Sequence, residues 1–410
     1  MARASGLTTI LEDIAAARSS GWEWLNLSAG NPAAIPEVVN TWQRLEADAL
    51  TEDFADSSCQ YGPTRGSDGL VDAIIRYFNN RFRWGIGRNN IVIGPGSQML
   101  CFIATSVFTG PSSLGSRPLV LPCIPDYTGY QDLCLDDGSI VAIEPLMEIH
   151  DARHFSYAVN IAELRQTPAI GMMLLSSPCN PTGRCIAPGE LSALVRLAEE
   201  RDIPLVIDHA YGEPFPRIAE PSAEPFFHPN VLNCFTFSKA GLPGERLGFA
   251  IGPAEIISPM VAFLAKSALH APRLIQAVAE RALNTGEIDT LTAKVINPYY
   301  RGKRLVAERL LEESLPEQVS WRLHPGLGGM FCWLWIDEDW FSDFNFYCAL
   351  KHKKVSIVPG RHFFTEPFTT PFLATHATRC IRLSLSAEEP VLAEGIGRIA
   401  EALRETNRSL

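Results

Sequence analysis

Six short apolar runs, at residues 119–123, 140–143, 171–176, 204–208, 231–237 and 247–251, constrain the fold of this chain more than any other feature. A half-exposed strand would alternate apolar with polar residues, whereas these runs are nearly continuous, as strands buried on both faces are. Between several of them lie stretches of helical period. In residues 187–201, for example, Leu191, Leu194, Leu197 and Ala198 share one face. Buried strands separated by helices predict a mostly parallel sheet with helices on both faces. In such a sheet, ligands gather at the carboxyl ends of the strands. With 410 residues and 46% hydrophobic content, the chain can build a large core and more than one domain.

The pattern changes at Asn297-Pro298. Residues 272–284 and 288–296 read as helix before it and 299–313 as a long helix after it. Residues 321–323, 329–336 and 380–384 then read as strands. This predicts a large domain over residues 56–294 and a smaller α+β domain over 295–410, with an N-terminal segment, residues 1–55, packing with the smaller one. Residues 1–20 include Glu12 and Asp13 and hold no continuous apolar stretch, so they do not read as a secretory signal. No apolar run approaches the roughly 18 residues of a membrane span. The expectation is a cytoplasmic protein whose ten scattered cysteines, none in a CxxC pair, stay reduced. A net charge of −11 opposes binding to nucleic acid or anionic membranes. The pairs His150/His154 and His352/His362 lack acidic or cysteine partners, so no metal site is expected.

Candidate chemistry falls where the strands end. Lys239 follows the apolar run 231–237 within Thr236-Phe237-Ser238-Lys239, and Arg246 comes soon after it. Alone, Lys239 reads as a solvated lysine in a turn. Asp208 closes the apolar run 204–208, where a buried carboxylate needs a partner; the alternative is an aspartate capping a following helix. Asn180, in Asn180-Pro181-Thr182-Gly183, and Tyr211 can both hydrogen-bond a ring hydroxyl. The set suits pyridoxal 5′-phosphate (PLP), which needs a lysine for its aldehyde and an acidic partner for its ring nitrogen. Gly94-Pro95-Gly96-Ser97-Gln98, between an apolar run and a helical one, makes a candidate anion site, with Arg246 as a charged contact. Tyr127 can lie against an aromatic ring or fill the core. Arg382 interrupts an apolar strand, where its guanidinium can grip a carboxylate or simply face outward.

Together these motifs resemble the class I/II aminotransferases, enzymes of the fold-type I PLP class, and within them the valine–pyruvate branch. The resemblance runs from Leu27-Ser28-Ala29-Gly30-Asn31-Pro32 to the strand of Arg382. It implies a large α/β domain with a mostly parallel sheet, a smaller α+β domain and a homodimer with shared active sites. Lys239 would carry PLP, Asp208 would pair with the ring nitrogen, Asn180 and Tyr211 would contact the ring oxygen, and Tyr127 would stack on the ring. Ser97, Gln98, Thr236, Ser238 and Arg246 would form the phosphate cup, and Tyr61 would reach the phosphate of the neighbouring subunit. Arg382, with the Gly30 backbone and Asn180, would hold the substrate carboxylate.

The implied reaction moves an amino group between an apolar α-amino acid, of valine or alanine type, and a 2-oxo acid such as pyruvate. No second arginine is clearly placed for a distal carboxylate, although Arg65, Arg184 and Arg361 remain open as entrants. Three departures, Ser177, Cys179 and His209, bear on the amino donor rather than on the cofactor chemistry. Elimination, replacement or decarboxylation on the same scaffold is the alternative reading, and a PLP-binding regulator a further one.

Overall fold

In the computed structural model, residue 12 and residues 24–113, 115–136, 139–220, 224–366, 368 and 370–408 are described. Residues 1–20, read above for a signal, therefore lie outside the described residues except for residue 12. Seven strands form the central sheet: β1 (Ile91–Gly94), β2 (Leu119–Leu121), β3 (Ile140–Ala142), β4 (Met172–Ser176), β5 (Leu205–Asp208), β6 (Val231–Thr236) and β7 (Gly248–Ile251). Their order is β1-β7-β6-β5-β4-β2-β3. Pairing is parallel from β6 through β5, β4 and β2 to β3, while β7 runs antiparallel to both β6 and β1.

The apolar runs are explained by what covers them. Ile91, Ile93, Phe235, Phe249 and Ile251 belong to one core cluster, and their strand neighbours Val92, Cys234 and Ala250 to a second. Successive side chains point to opposite faces of a strand, so a sheet with a core on each side needs apolar residues at both phases. Helices α1 (Pro36–Glu52), α2 (Asp68–Phe82) and α3 (Arg273–Thr285) bring Trp42, Phe78 and Val278 to the first core. Helices Ser97–Phe108, Pro188–Arg201 and Ala254–Ser267 bring Leu100, Leu197 and Met260 to the second.

A smaller four-stranded sheet follows helix Asn297–Ser314: β8 (Trp321–Leu323), β9 (Phe331–Ile336), β10 (Val358–Pro359) and β11 (Cys380–Ser384), in the order β8-β9-β11-β10. The N-terminal part divides between the two bodies. Leu25–Asn26 pairs in parallel with Val355–Ser356, and Leu27 O accepts from Ser384 N at 2.7 Å. Helix α1 instead lies against the larger body, its Trp42 Nε1 donating to Ala240 O at 2.8 Å. Among the described residues, no helix is long and apolar enough to cross a membrane.

The fold aligns three strand ends. Asp208 closes β5 and stands in register with Ser176 on β4 and Cys234 on β6, so the chain after each strand emerges at one edge. The turn Gly94–Gly96 leaves β1 at the same edge. Gly248 makes room for it, since a Cβ there would lie 2.6 Å from Phe235 O and 2.9 Å from Ser97 N.

Candidate active site

A cavity of about 420 Å³ opens at this edge, between the central sheet, the segment 26–31 and the smaller sheet. Its lining includes every site residue expected above except Tyr61: Gly30, Ser97, Gln98, Tyr127, Asn180, Asp208, Tyr211, Thr236, Ser238, Lys239, Arg246 and Arg382. Tyr61 stands outside, 87% exposed, its ring edge against His270.

Lys239 follows β6 in a short 3₁₀ turn, Ser238–Ala240, backed by packed aromatics: Phe237 stacks on Phe215 at 5.0 Å, and Phe235 on Phe249 at 5.0 Å. The lysine is half-buried, and its Nζ donates to Gly30 O at 2.8 Å. Burial, then the cations of Arg382 and Arg246, lower its pKa to about 8. Asp208 Oδ1 accepts from Ala210 N at 3.0 Å, and Oδ2 accepts from the Tyr130 hydroxyl at 3.0 Å. Burial raises its pKa to about 6 against the pull of these donors.

At one end of the cavity the Thr236 hydroxyl donates to Ser238 Oγ at 2.9 Å, and Arg246 Nη1 donates to the same Oγ at 3.2 Å. Gly96, with φ +84°, begins the helix Ser97–Phe108, and a Cβ there would meet Arg246 Nη2 at 2.6 Å. Hydroxyls, a helix N-terminus and a guanidinium thus converge on one spot, as an anion requires. Gln98 Nε2 is turned to Gly129 O at 3.1 Å.

At the other end Arg382 is buried, with no carboxylate partner among the described residues. Its Nη1 donates to Asn180 Oδ1 at 2.9 Å and its Nη2 to Ser28 O at 2.8 Å, while Nε has no partner among them. The Phe331 ring centroid lies 4.0 Å from the guanidinium carbon and that of Phe363 5.1 Å. Burial lowers its pKa to about 10, which still leaves it a cation at neutral pH. Gly30 O accepts from Lys239, while the carbonyl that Arg382 meets is that of Ser28.

The sequence relatives agree with this geometry. Residues 23–399 match the family described as aminotransferase class I and II. The chain belongs to the class I and II aminotransferases. It is 32% identical over 404 residues to the valine–pyruvate aminotransferase of Escherichia coli K12, covering 98% of this chain and 95% of that one. A solved structure from Psychrobacter arcticum 273-4 superposes with a TM-score of 0.94 at 30% identity, covering 100% of this chain and 97% of that one. The valine–pyruvate aminotransferase of Salmonella typhimurium LT2 gives a TM-score of 0.87 at 30% identity, with 98% and 99% covered. This membership does not favour elimination, replacement, decarboxylation or a regulatory role.

For this aminotransferase the three departures need correction, because none of Ser177, Cys179 and His209 lines the cavity. Neighbours along an extended chain face opposite sides, so Asp208 facing the cavity turns His209 into the core. There its Nε2 meets Asn233 Oδ1 at 2.9 Å and its ring stacks on Phe235 at 5.1 Å; burial lowers its pKa to about 4 and keeps it neutral. Ser177 Oγ accepts from Ile186 N at 3.1 Å, and Cys179 Sγ meets Pro125 O at 3.4 Å. Arg65, Arg184 and Arg361 are also engaged elsewhere: with the carbonyls of Arg88 and Ile91, with Glu190, and with Asp343.

Sequence reasoning missed Tyr130, Ser28, Phe331 and Phe363. Tyr130 had one visible signal, its place three residues after Tyr127. The two phenylalanines lay within the span of the resemblance, with nothing to link them to Arg382.

Proposed function

We propose that this aminotransferase holds PLP on Lys239 and exchanges the amino group of an apolar α-amino acid, of valine or alanine type, with a 2-oxo acid such as pyruvate. One observation carries the substrate reading. Among the described residues, the only charged side chains lining the cavity are Asp208, Lys239, Arg246 and Arg382. With Arg246 at the phosphate end and Arg382 free for an α-carboxylate, no cation among them is left for a second carboxylate on the substrate. The E. coli and S. typhimurium relatives, both valine–pyruvate aminotransferases, support the same choice.

Bound in this cavity, PLP would supply the electron sink for charge left at the amino acid's Cα. The residues divide the remaining work. Ser97, Gln98, Thr236, Ser238 and Arg246 receive the phosphate. Asp208 accepts from the ring nitrogen. Asn180, whose Oδ1 is occupied by Arg382, offers its amide N–H to the ring oxygen beside Tyr211. Tyr127 covers the ring face. Arg382 fixes the α-carboxylate through two parallel hydrogen bonds. The Lys239 amine would take and return the proton at the amino acid's Cα.

We place Tyr61 at the phosphate of a partner subunit in a homodimer. Its exposure, with its ring edge against His270, supports this. Cytoplasmic location belongs to the same reading, and ten cysteines without a disulfide agree with a reducing compartment.

The lowered pKa of Lys239 gives a pH dependence. Only the neutral amine attacks an aldehyde, and below its pKa the amine is protonated. Capture of PLP by the apo protein should therefore accelerate as pH rises, with a midpoint near 8, far below the roughly 10.4 of an ordinary lysine. Stopped-flow absorbance at a series of pH values checks this. A rate still climbing through pH 10 would mean that the amine is not perturbed as described.

The assignment of Lys239 is tested by borohydride reduction of the PLP-loaded protein followed by peptide mapping. The label should lie on the peptide containing Lys239. Protein that takes up no PLP, or a label on another lysine, would overturn it.

A further inference from the structure

The resemblance gave Tyr130 no role, yet its side chain hydrogen-bonds Asp208. It is 1% exposed and ends the 3₁₀ turn Thr128–Tyr130, whose Tyr130 N donates to Tyr127 O at 2.9 Å. Its hydroxyl donates to Asp208 Oδ2 at 3.0 Å, and its ring meets that of Tyr127 edge-on at 5.3 Å and 88°. The Ser97 side chain also hydrogen-bonds Asp208, but Tyr130 touches both the carboxylate assigned to the ring nitrogen and the aromatic assigned to the ring face.

We propose that Tyr130 is a positioning residue for the cofactor ring: its hydroxyl holds Asp208 as an oriented anion toward the ring nitrogen, and its ring edge sets Tyr127 against the ring face. The proposal rests on the PLP reading above. Its physical logic starts from burial. A carboxylate 4% exposed gains little from water and drifts toward the protonated form, in which it would no longer accept from a pyridinium N–H. Donors to the charged form oppose that drift. Oδ1 has a backbone donor in Ala210 N and Oδ2 has the Tyr130 hydroxyl, with the Ser97 side chain a further donor to the carboxylate.

Proton ownership is settled by the same burial. The Tyr130 hydroxyl is pushed well above its ordinary range, first by desolvation and then by the Asp208 charge, so the phenol stays the donor and the carboxylate the acceptor. Holding two lone pairs in fixed directions leaves the remaining ones facing the cavity. Rotation of the carboxylate about its Cβ–Cγ bond would break both bonds at once.

A bland role, in which Tyr130 merely fills space, makes a different prediction, and cofactor binding separates the two without measuring turnover. The probes are PLP and an analogue with carbon in place of the ring nitrogen, titrated against apo wild type, Tyr130→Phe, Asp208→Asn and the double variant. Tyr130→Phe is expected to weaken PLP about tenfold, the scale of one hydrogen bond to a charged group, and to leave the carbon analogue unchanged. Undiminished analogue binding also shows that the variant has folded. Asp208→Asn should lose the preference for PLP over the analogue, and adding Tyr130→Phe should then change nothing more.

Equal weakening of both probes by Tyr130→Phe, or no weakening of PLP, would overturn the proposal while leaving the PLP reading intact. A wild type that binds neither probe, or binds both equally, would overturn the assignment of Asp208 to the ring nitrogen and the proposal with it.

Discussion

Replacing Lys239 with alanine is expected to give a folded protein that binds PLP reversibly, resists borohydride fixation and loses about 10⁴-fold or more in amino transfer, the upper range for loss of a positioned general base. The loss should fall on kcat, because the phosphate cup, Asp208 and Arg382 remain. Folding should be spared, since Lys239 donates only to Gly30 O and its removal leaves one carbonyl at an exposed residue unpartnered. The same variant tests the shared active site. Mixed with Tyr61→Phe subunits, it should form heterodimers in which one site has both its own Lys239 and the partner's tyrosine. Such mixtures should recover the PLP affinity lost by Tyr61→Phe alone, at up to half of the sites. If mixing recovers nothing, Tyr61 does not act across an interface.

Arg382→Leu is expected to lower kcat/KM for amino acids by roughly 10²-fold or more, since truncating one partner of a buried charged pair costs about 2–5 kcal/mol. The change should appear in KM and in the binding of small monocarboxylate inhibitors, and PLP affinity should change little. Leucine suits the space between the Phe331 and Phe363 rings, so the variant should fold, although Asn180 Oδ1 and Ser28 O lose their donor. Arg382→Lys should not restore activity, because a single ammonium cannot meet Asn180, Ser28 and a carboxylate in one plane. Unchanged inhibitor binding in Arg382→Leu would remove the carboxylate assignment.

What the sequence reveals follows from what burial leaves in it. The runs ending in Asp208 and Thr236 are legible because a strand covered on both faces must be apolar at both phases. The direction of β7 is not legible, since residues 247–251 are equally apolar whichever way they run, and only the pairing of Gly248 with both Thr236 and Gly94 fixes it. The cavity residues could be named where chemistry demands a rare type at a strand end, as with Lys239 and Asp208. Backbone groups could not: the Ser28 and Gly30 carbonyls that hold Arg382 and Lys239 leave no mark in the side-chain pattern. His209 was misread through its neighbour, although strand alternation beside Asp208 already pointed it into the core. The engagements of Arg65, Arg184 and Arg361 likewise depend on contacts distant in sequence, such as Arg65 with Ile91 O.

Which amino acid gives up its amino group is the central claim, and a single-turnover measurement tests it most directly. PLP-loaded enzyme is mixed with valine, alanine, leucine, aspartate, glutamate or lysine, and the rate at which the cofactor absorbance changes is followed with the 2-oxo acid formed. Valine or alanine should react fastest, with one 2-oxo acid per site and no ammonia, and pyruvate should reverse the change. Because one methylene is worth only about 1–3 kcal/mol, the order within the apolar set is left to the experiment. Aspartate, glutamate or lysine reacting much faster than valine and alanine would contradict the account, for it would require a charged partner that the described residues lining the cavity do not supply.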